Sequence, residues 1–409
     1  PIMYFSLYLL KARWFNKLIF SETGINCACP VLPKIATPWQ PLSMIISACC
    51  MVFLMLSVKS LFKIDIDAAY IPLILLILKI YIKKLISKVY KLLVKILGIQ
   101  NKMGIGDTVI YLPFIRAISI KFNCPVSLLV KENSKAEEFL NQTNYIDQVI
   151  YLKKNDKNEG ILGSIKLAKE LKKYNFEKVF IFNSSLRFYL VSRLANIKKI
   201  YQYPLLEKRE QHITGAANKL IKDNLGIDVK ENPEIQIDES LVRETSEKLL
   251  MKTNELNILL AIGGSGPTKR IPARTFLAFM KKIKNVKKCK FFLATGKNED
   301  EQKILKEILD SEFKDQCFRL DDFSINKTLP IIKNCNVAIC NDTSFSHLSS
   351  ALGVKTITLM ADTPLIYGSY STNMYPIIPD GEQTVTHNTL GKDKINPEKI
   401  FNKLISILA

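Results

Sequence analysis

The sequence predicts an α/β protein: two Rossmann-like, doubly wound halves facing a cleft, preceded by an apolar and basic amphipathic N-terminal extension. Three observations carry this expectation. Short apolar strands alternate with helical stretches along most of the chain, the order that builds parallel sheets. The alternation comes in two series separated by a polar stretch that begins Lys230-Glu-Asn-Pro-Glu-Ile-Gln-Ile-Asp-Glu239. Three strand-to-helix junctions are rich in glycine or small hydroxyl residues, which suits them to bind anions at helix starts. A length of 409 residues, 48% of them hydrophobic, is enough for two or three domains.

The first element, residues 1–92, is an apolar and basic extension. The chain opens at Pro1 rather than Met, and Met44, Met51 and Met55 are candidate starts. The apolar run from Ser43 to Val58 falls short of the roughly twenty residues that span a bilayer comfortably. From Ala68 to Leu97, lysines at 79, 83, 84, 88, 91 and 95 are spaced among Ile, Leu, Val and Tyr. That pattern predicts a basic amphipathic helix on an anionic membrane surface, its lysines snorkelling to lipid headgroups. A short membrane-spanning segment ending at Lys79, or a helix packed on the protein itself, remains the alternative. Charge points the same way: the chain carries +20, and residues 1–100 hold 12 Lys or Arg against 3 Asp or Glu, a surplus of 9. Such an excess implies an anionic partner. Its concentration in an apolar helix, rather than a polar stripe with exposed aromatics, argues against nucleic acid.

Residues 93–235 form the first predicted half, with strands near Ile96–Gln100, Val126–Val130, Gln148–Leu152, Lys178–Phe182 and Lys198–Tyr201. Helices are expected at Thr108–Phe122 and Ile161–Tyr174. Residues 236–255 are the connector. Residues 256–392 form the second half, with strands at Asn257–Ile262, Lys290–Thr295, Asn336–Cys340 and Lys355–Met360, and residues 393–409 a C-terminal helix. The nine cysteines lack paired zinc-site spacing and suit a reduced cytoplasmic protein.

The chemistry sits at the junctions. In Asn101-Lys-Met-Gly-Ile-Gly-Asp107-Thr108, glycine lets backbone approach a ligand, and Asp107 lies at the carboxyl edge of a parallel sheet. Two readings of Asp107 stand side by side: a base that takes a proton from a hydroxyl nucleophile, or the N-cap of a helix beginning at Thr108. The loop lacks the third glycine of a dinucleotide fingerprint, Val109 standing in its place, which disfavours a dehydrogenase. In Leu259-Leu-Ala-Ile-Gly-Gly-Ser265-Gly-Pro-Thr-Lys269-Arg-Ile-Pro272, the lysine reaches towards the same cleft beside phosphate-friendly glycines. In Cys340-Asn341-Asp342-Thr343-Ser344-Phe345-Ser346-His347, a buried strand runs into a helix opening with hydroxyl residues. His347 is either a hydrogen-bonded buried histidine or a ligand contact.

Taken together these residues resemble glycosyltransferase family 9, the heptosyltransferases. Gly106-Asp107 through Pro113, Lys269 with Pro272, Asn341-Asp342-Thr343 with His347-Leu348, and Ala351-Leu352-Gly353 match in order, with weaker agreement around Tyr145-Ile-Asp-Gln-Val-Ile and Ser185 to Ala195. The resemblance covers the chain from about Lys95 onwards. It implies a GT-B fold with an acceptor-binding N-terminal half, a nucleotide-sugar-binding C-terminal half, inversion at the anomeric carbon, and neither metal nor other cofactor. By the resemblance Asp107 is the general base and Lys269 the diphosphate clamp. Asp342, Thr343 and Ser344 form the donor phosphate junction, Gly106, Ser265 and His347 line the donor, and Glu299 or Glu301 holds the ribose. The implied partners are a nucleotide sugar, with an ADP-sugar favoured, and a lipid-linked or oligosaccharide acceptor. The implied place is the cytoplasmic face of the inner membrane. Three departures bear on donor identity: Ser344 for the usual glycine, Ile271 for an aromatic, and Ala361-Asp362-Thr363-Pro364 for a glycine-containing turn. The alternative is a non-catalytic nucleotide-sugar-binding or membrane scaffold protein of the same fold.

Overall fold

The computed structural model describes residues 94–409 apart from 103, 153–159, 206–212, 252–253 and 265, all within one compact unit, Ile86–Ala409. The expected membrane-binding helix up to residue 93, the apolar run before it and Ser265 lie outside the described residues; the last residues expected of that helix, Ile96 and Leu97, are instead buried strand.

The first sheet contains β1 (Ile96–Ile99), β2 (Val126–Lys131), β3 (Ile146–Leu152), β4 (Lys178–Ile181) and β5 (Lys199–Gln202) in the order β3-β2-β1-β4-β5. Every pairing is parallel, with Ile96 opposite both Val126 and Lys178. β1 is central and buried along its whole length, as expected of an apolar strand covered on both faces. Its helices are α1 (Ile105–Phe122), α2 (Ala136–Leu140), α3 (Gly160–Lys172), α4 (Leu186–Leu194) and α5 (Ile213–Leu225).

An extended segment from Val229 leads to α6 (Glu239–Lys248), capped by the Asp238 carboxylate on the Ser240 N–H at 2.8 Å. The second sheet follows: β6 (Leu256–Ala261), β7 (Cys289–Ala294), β8 (Cys317–Arg319), β9 (Val337–Asn341), β10 (Thr356–Leu359) and β11 (Met374–Ile377), ordered β11-β10-β9-β6-β7-β8 and again parallel throughout. Its helices are α7 (Ala273–Lys284), α8 (Glu299–Leu309), α9 (Ile325–Lys333), α10 (Ser344–Ala351) and α11 (Pro397–Leu408). The edge strands β8 and β11 were not among the expected ones; they are three and four residues long and only partly buried, so neither carries a strong apolar signal.

Both strand orders reverse once, between β1 and β4 in the first sheet and between β6 and β9 in the second. Ligands of open parallel sheets bind in the crevice at such a reversal, outside the carboxyl ends of the strands. A single apolar core joins the halves, running from Val109, Leu112 and Phe114 of α1 to Leu348 and Leu352 at α10. Backbone hydrogen bonds add to it: the Ile235 N–H reaches the Ala351 carbonyl at 2.9 Å.

Candidate active site

The three junctions read from the sequence converge where α1 and α10 meet. α1 opens at Ile105 with Gly104 as its extended N-cap, and Asp107 is the third helical residue. Its Oδ2 accepts the Gly104 N–H at 3.0 Å, while the Thr108 hydroxyl turns back to the Gly104 carbonyl at 3.3 Å. This corrects the expected start at Thr108 with Asp107 as N-cap. The carboxylate satisfies the free N–H from inside the first turn, so the helix begins three residues earlier. Oδ2 thus anchors the helix start.

Asp107 stands beside the other half of the molecule because Gly106 has no side chain. The His347 imidazole, carried on α10, lies so close that a Cβ on Gly106 would fall 2.4 Å from its Cδ2 and 2.6 Å from its Nε2. His347 Nδ1 is 2.8 Å from the Tyr370 hydroxyl, and the two rings stack with centroids 5.6 Å apart. Burial pushes the His347 pKa below its ordinary value, although Asp342 and Asp107 pull it up. Burial, helped by Asp342, raises the Tyr370 phenol, so Tyr370 keeps its proton. His347 is therefore a buried, hydrogen-bonded imidazole, the first of its two expected readings, set at the contact between α1 and α10.

Lys269 closes the short turn Pro267–Lys269, and its Nζ lies 2.6 Å from Asp342 Oδ2. The lysine side chain is 24% exposed and the aspartate 8%, so the pair is screened from water on one side and reachable on the other. Burial alone would raise the Asp342 carboxyl, but attraction to the His347 imidazole and the Lys269 ammonium outweighs it and holds the group below the usual carboxylate range. The loops bearing these two residues follow β6 and β9, the strands flanking the reversal. Asn341 ties the loops together by donating Nδ2 to the carbonyls of Ile262 and Gly263 at 2.8 and 3.0 Å.

Thr343 is the N-cap of α10, and its buried Oγ1 has no partner among the described residues. An orphaned hydroxyl beside free helix N–H groups fits an incoming phosphate. Ser344, the first helical residue, is half-buried at the same point.

Of the two glutamates, Glu299 is exposed, whereas Glu301 is buried and accepts the Gly264 N–H at 2.6 Å through Oε1. Gly296 and Gly263 enclose its carboxylate, with Cβ positions 2.2 Å from Oε2 and 3.1 Å from Oε1 respectively. Sequence reasoning did not single out Arg270 or Tyr370. Arg270 Nε donates to the Gly264 carbonyl at 3.0 Å, and its Nη1 meets Asp300 at 2.7 Å, so it shapes the glycine loop. Its place next to Lys269 was the available signal; Tyr370 had none.

Ile271 is fully buried in the core of the second half, packed with residues such as Phe276 and Leu260. That corrects its assignment to donor identity: the residue fills apolar volume beneath α7. Asp362, in the third departure, accepts the Leu390 N–H at 2.8 Å and fastens the C-terminal loop. A cavity of about 440 Å³ lies elsewhere, lined by Arg116, Glu234, Lys333 and Leu352 among others. Arg116 is nine residues along α1 from Asp107, about 13.5 Å at 1.5 Å per residue, so this cavity is well separated from the site. Among the described residues no group of three or more His, Cys, Asp or Glu side chains is placed to hold a metal ion. No helix among them is long and apolar enough to cross a membrane.

The family described as glycosyltransferase family 9 (heptosyltransferase) matches residues 164–386. The chain is 25% identical over 329 residues to lipopolysaccharide heptosyltransferase 1 of Campylobacter coli, covering 72% of this chain and 92% of that one. Among solved structures, the family 9 glycosyl transferase of Veillonella parvula superposes with a TM-score of 0.64 at 17% identity, covering 77% of this chain and 97% of that one. The E. coli ADP-heptose lps heptosyltransferase II gives 0.60 at 17%, covering 77% and 98%. E. coli heptosyltransferase WaaC with ADP gives 0.58 at 14%, covering 76% and 99%. These likenesses establish the two-halved fold expected from the sequence.

Proposed function

Since the chain belongs to glycosyltransferase family 9, we propose that it transfers heptose, with inversion, from an ADP-sugar to a lipopolysaccharide-core acceptor at the cytoplasmic face of the inner membrane. The names of the Campylobacter coli and E. coli relatives support this donor and acceptor. The observation that carries the reading is the convergence of Asp107, the Lys269–Asp342 pair and the α10 start on the contact between the two halves.

The roles follow from where charge develops. As the bond from the anomeric carbon to the diphosphate oxygen breaks, negative charge grows on the departing nucleotide. Lys269, Thr343, Ser344 and the first N–H groups of α10 are placed to receive it, and such interactions accelerate the reaction to the extent that they strengthen in the transition state. The acceptor hydroxyl attacks the opposite face of the sugar, and its proton passes to Asp107, help of about 10²–10⁴-fold. In the unliganded protein Asp342 holds the ammonium of Lys269 in position, so the lysine need not be immobilised during the reaction. Glu301 keeps the Gly263–Gly264 loop in the shape that admits a nucleotide, with its own contact to the ribose as the expected second duty; Gly106 completes the donor wall. Binding to an anionic membrane surface brings the enzyme to a lipid-linked acceptor.

The test compares wild type with Asp107→Asn. Transfer from ADP-heptose should fall by at least two orders of magnitude while ADP binding stays within about twofold, because an amide oxygen still accepts the Gly104 N–H. Unchanged turnover would remove Asp107 from the chemistry.

A further inference from the structure

The surface of the first half carries a patch that the transfer reaction does not use. On α3, Ile161, Leu162 and Ile165 are 81%, 83% and 39% exposed. On α4, Leu186, Leu190 and Leu194 are 58%, 50% and 59% exposed, with Tyr189 beside them. The buried residues of α3 (Gly163, Leu167, Ala168, Leu171) and of α4 (Phe188, Val191, Ser192) lie on the opposite faces. Both helices thus turn an apolar stripe to solvent as well as one to the core. Arg187 Nε reaches the Ser164 hydroxyl at 3.1 Å, which joins their first turns and makes the two stripes neighbours.

Charge on this surface is predominantly positive. Lys166, Lys169, Lys172 and Lys173 continue the exposed face of α3, Arg193 lies between the leucines of α4, and Lys198 and Lys199 follow. From 160 to 205 there are nine Lys or Arg against two Glu. Aliphatic side chains interleaved with long cationic ones are the composition of a face that sinks into the headgroup and acyl boundary of an anionic bilayer.

The patch also lies at the working edge of the sheet. α3 and α4 start at the carboxyl ends of β3 and β4, the edge at which β1 delivers Asp107. The β4–α4 turn bonds to the β1–α1 turn through Asn183 and Asn101.

We propose that the first turns of α3 and the exposed face of α4 are a docking surface for anionic lipid, which holds the Asp107 edge against the bilayer. This goes beyond the amphipathic helix expected within 68–97 and deepens the membrane part of the functional reading, on which it rests.

Trp14 and Trp39 are the chain's two tryptophans. In the full chain carrying Trp14→Phe and Trp39→Phe, Tyr189→Trp supplies a single reporter on the patch. Vesicles containing phosphatidylglycerol with brominated acyl chains should quench it, and neutral phosphatidylcholine vesicles should do so at least tenfold less effectively at equal lipid. Leu186→Ser with Leu190→Ser in the same background should abolish the quenching with the circular dichroism spectrum unchanged. Absence of quenching while the protein sediments with the vesicles would overturn the proposal, whatever the transfer activity. So would failure to sediment with them, or quenching that is equal on neutral lipid. A protein-concentration-dependent blue shift without lipid, matched by dimer in sedimentation velocity, would assign the patch to a second copy instead. Loss of transfer activity with quenching intact would count against the sugar-transfer reading alone.

Discussion

Gly106→Ala probes the contact on which the site depends. The added Cβ would sit 2.4 Å from His347 Cδ2, against 3.4 Å for ordinary contact, so α1 or the imidazole must move by about 1 Å. His347 cannot retreat freely, because its ring stacks on Tyr370 and its Nδ1 is held by the phenol. Overpacking of this kind costs about 1–3 kcal/mol. Alanine in a helix gains about 0.5–1 kcal/mol over glycine, which offsets part of that loss. The net expectation is a loss of about 1–2 kcal/mol, a Tm lower by about 1–3 °C at the usual size scaling. The effect on rate should be larger in proportion, since a displacement of about 1 Å beside a reacting group costs on the order of 10²-fold. Thermal denaturation and kcat/KM for transfer measure the two effects. Adding His347→Ala should return most of the lost stability, a coupling of about 1 kcal/mol or more between residues in contact. Gly266→Ala is the control for stability: its Cβ would meet only Thr268 Oγ1, at 3.9 Å. An alanine at 106 that raises Tm and leaves kcat/KM unchanged would refute the contact and the coupling of the halves drawn from it.

Lys269→Ala should lower transfer by two or more orders of magnitude and cost roughly 1–3 kcal/mol in urea unfolding, because Asp342 is left buried without its cation. Adding Asp342→Asn should recover stability and not activity; recovery of both would make the pair purely structural. His347, with a folded-state pKa below 6.5, favours the neutral form in the native protein. Its contribution is whole above pH 6.5 and shrinks as pH falls from there towards the folded value, since the unfolded chain binds the proton first. Tm should therefore drop on acidification from pH 6.5, and His347→Gln should flatten that slope; an unchanged slope would place the titration elsewhere. Glu301→Gln should weaken ADP binding by loosening the Gly264 turn, with Glu299→Gln close to wild type in isothermal titration, and equal effects would contradict the difference in their burial.

The fold was legible because its central strands are continuous apolar runs and its junctions carry glycine. Leu256–Ala261 and Val337–Asn341 are buried at every position, so no alternation was needed to recognise them. The short strand Cys317–Arg319 escaped because two half-buried residues and an exposed arginine leave no period to detect. At the site, Asp107, Lys269 and Asp342 were visible as residue types at strand ends. Their meeting point was not, for it depends on Gly106 receiving a ring from 241 positions away. Tyr370 was invisible for the same reason. Ile271 was misassigned because a residue adjacent to Arg270 in sequence points to the opposite side, into the core.

Heptosyl transfer itself is the most direct test. Full-length protein would be incubated with ADP-heptose and a lipopolysaccharide inner-core acceptor, and the product's anomeric configuration read by NMR for wild type and Asp107→Asn. The account predicts an inverted glycosidic product from the wild type, at least about a hundredfold less from the variant, and ADP affinities within about twofold of each other. A product of retained configuration, or no transfer from any of a panel of ADP-, UDP- and GDP-sugars, would contradict it.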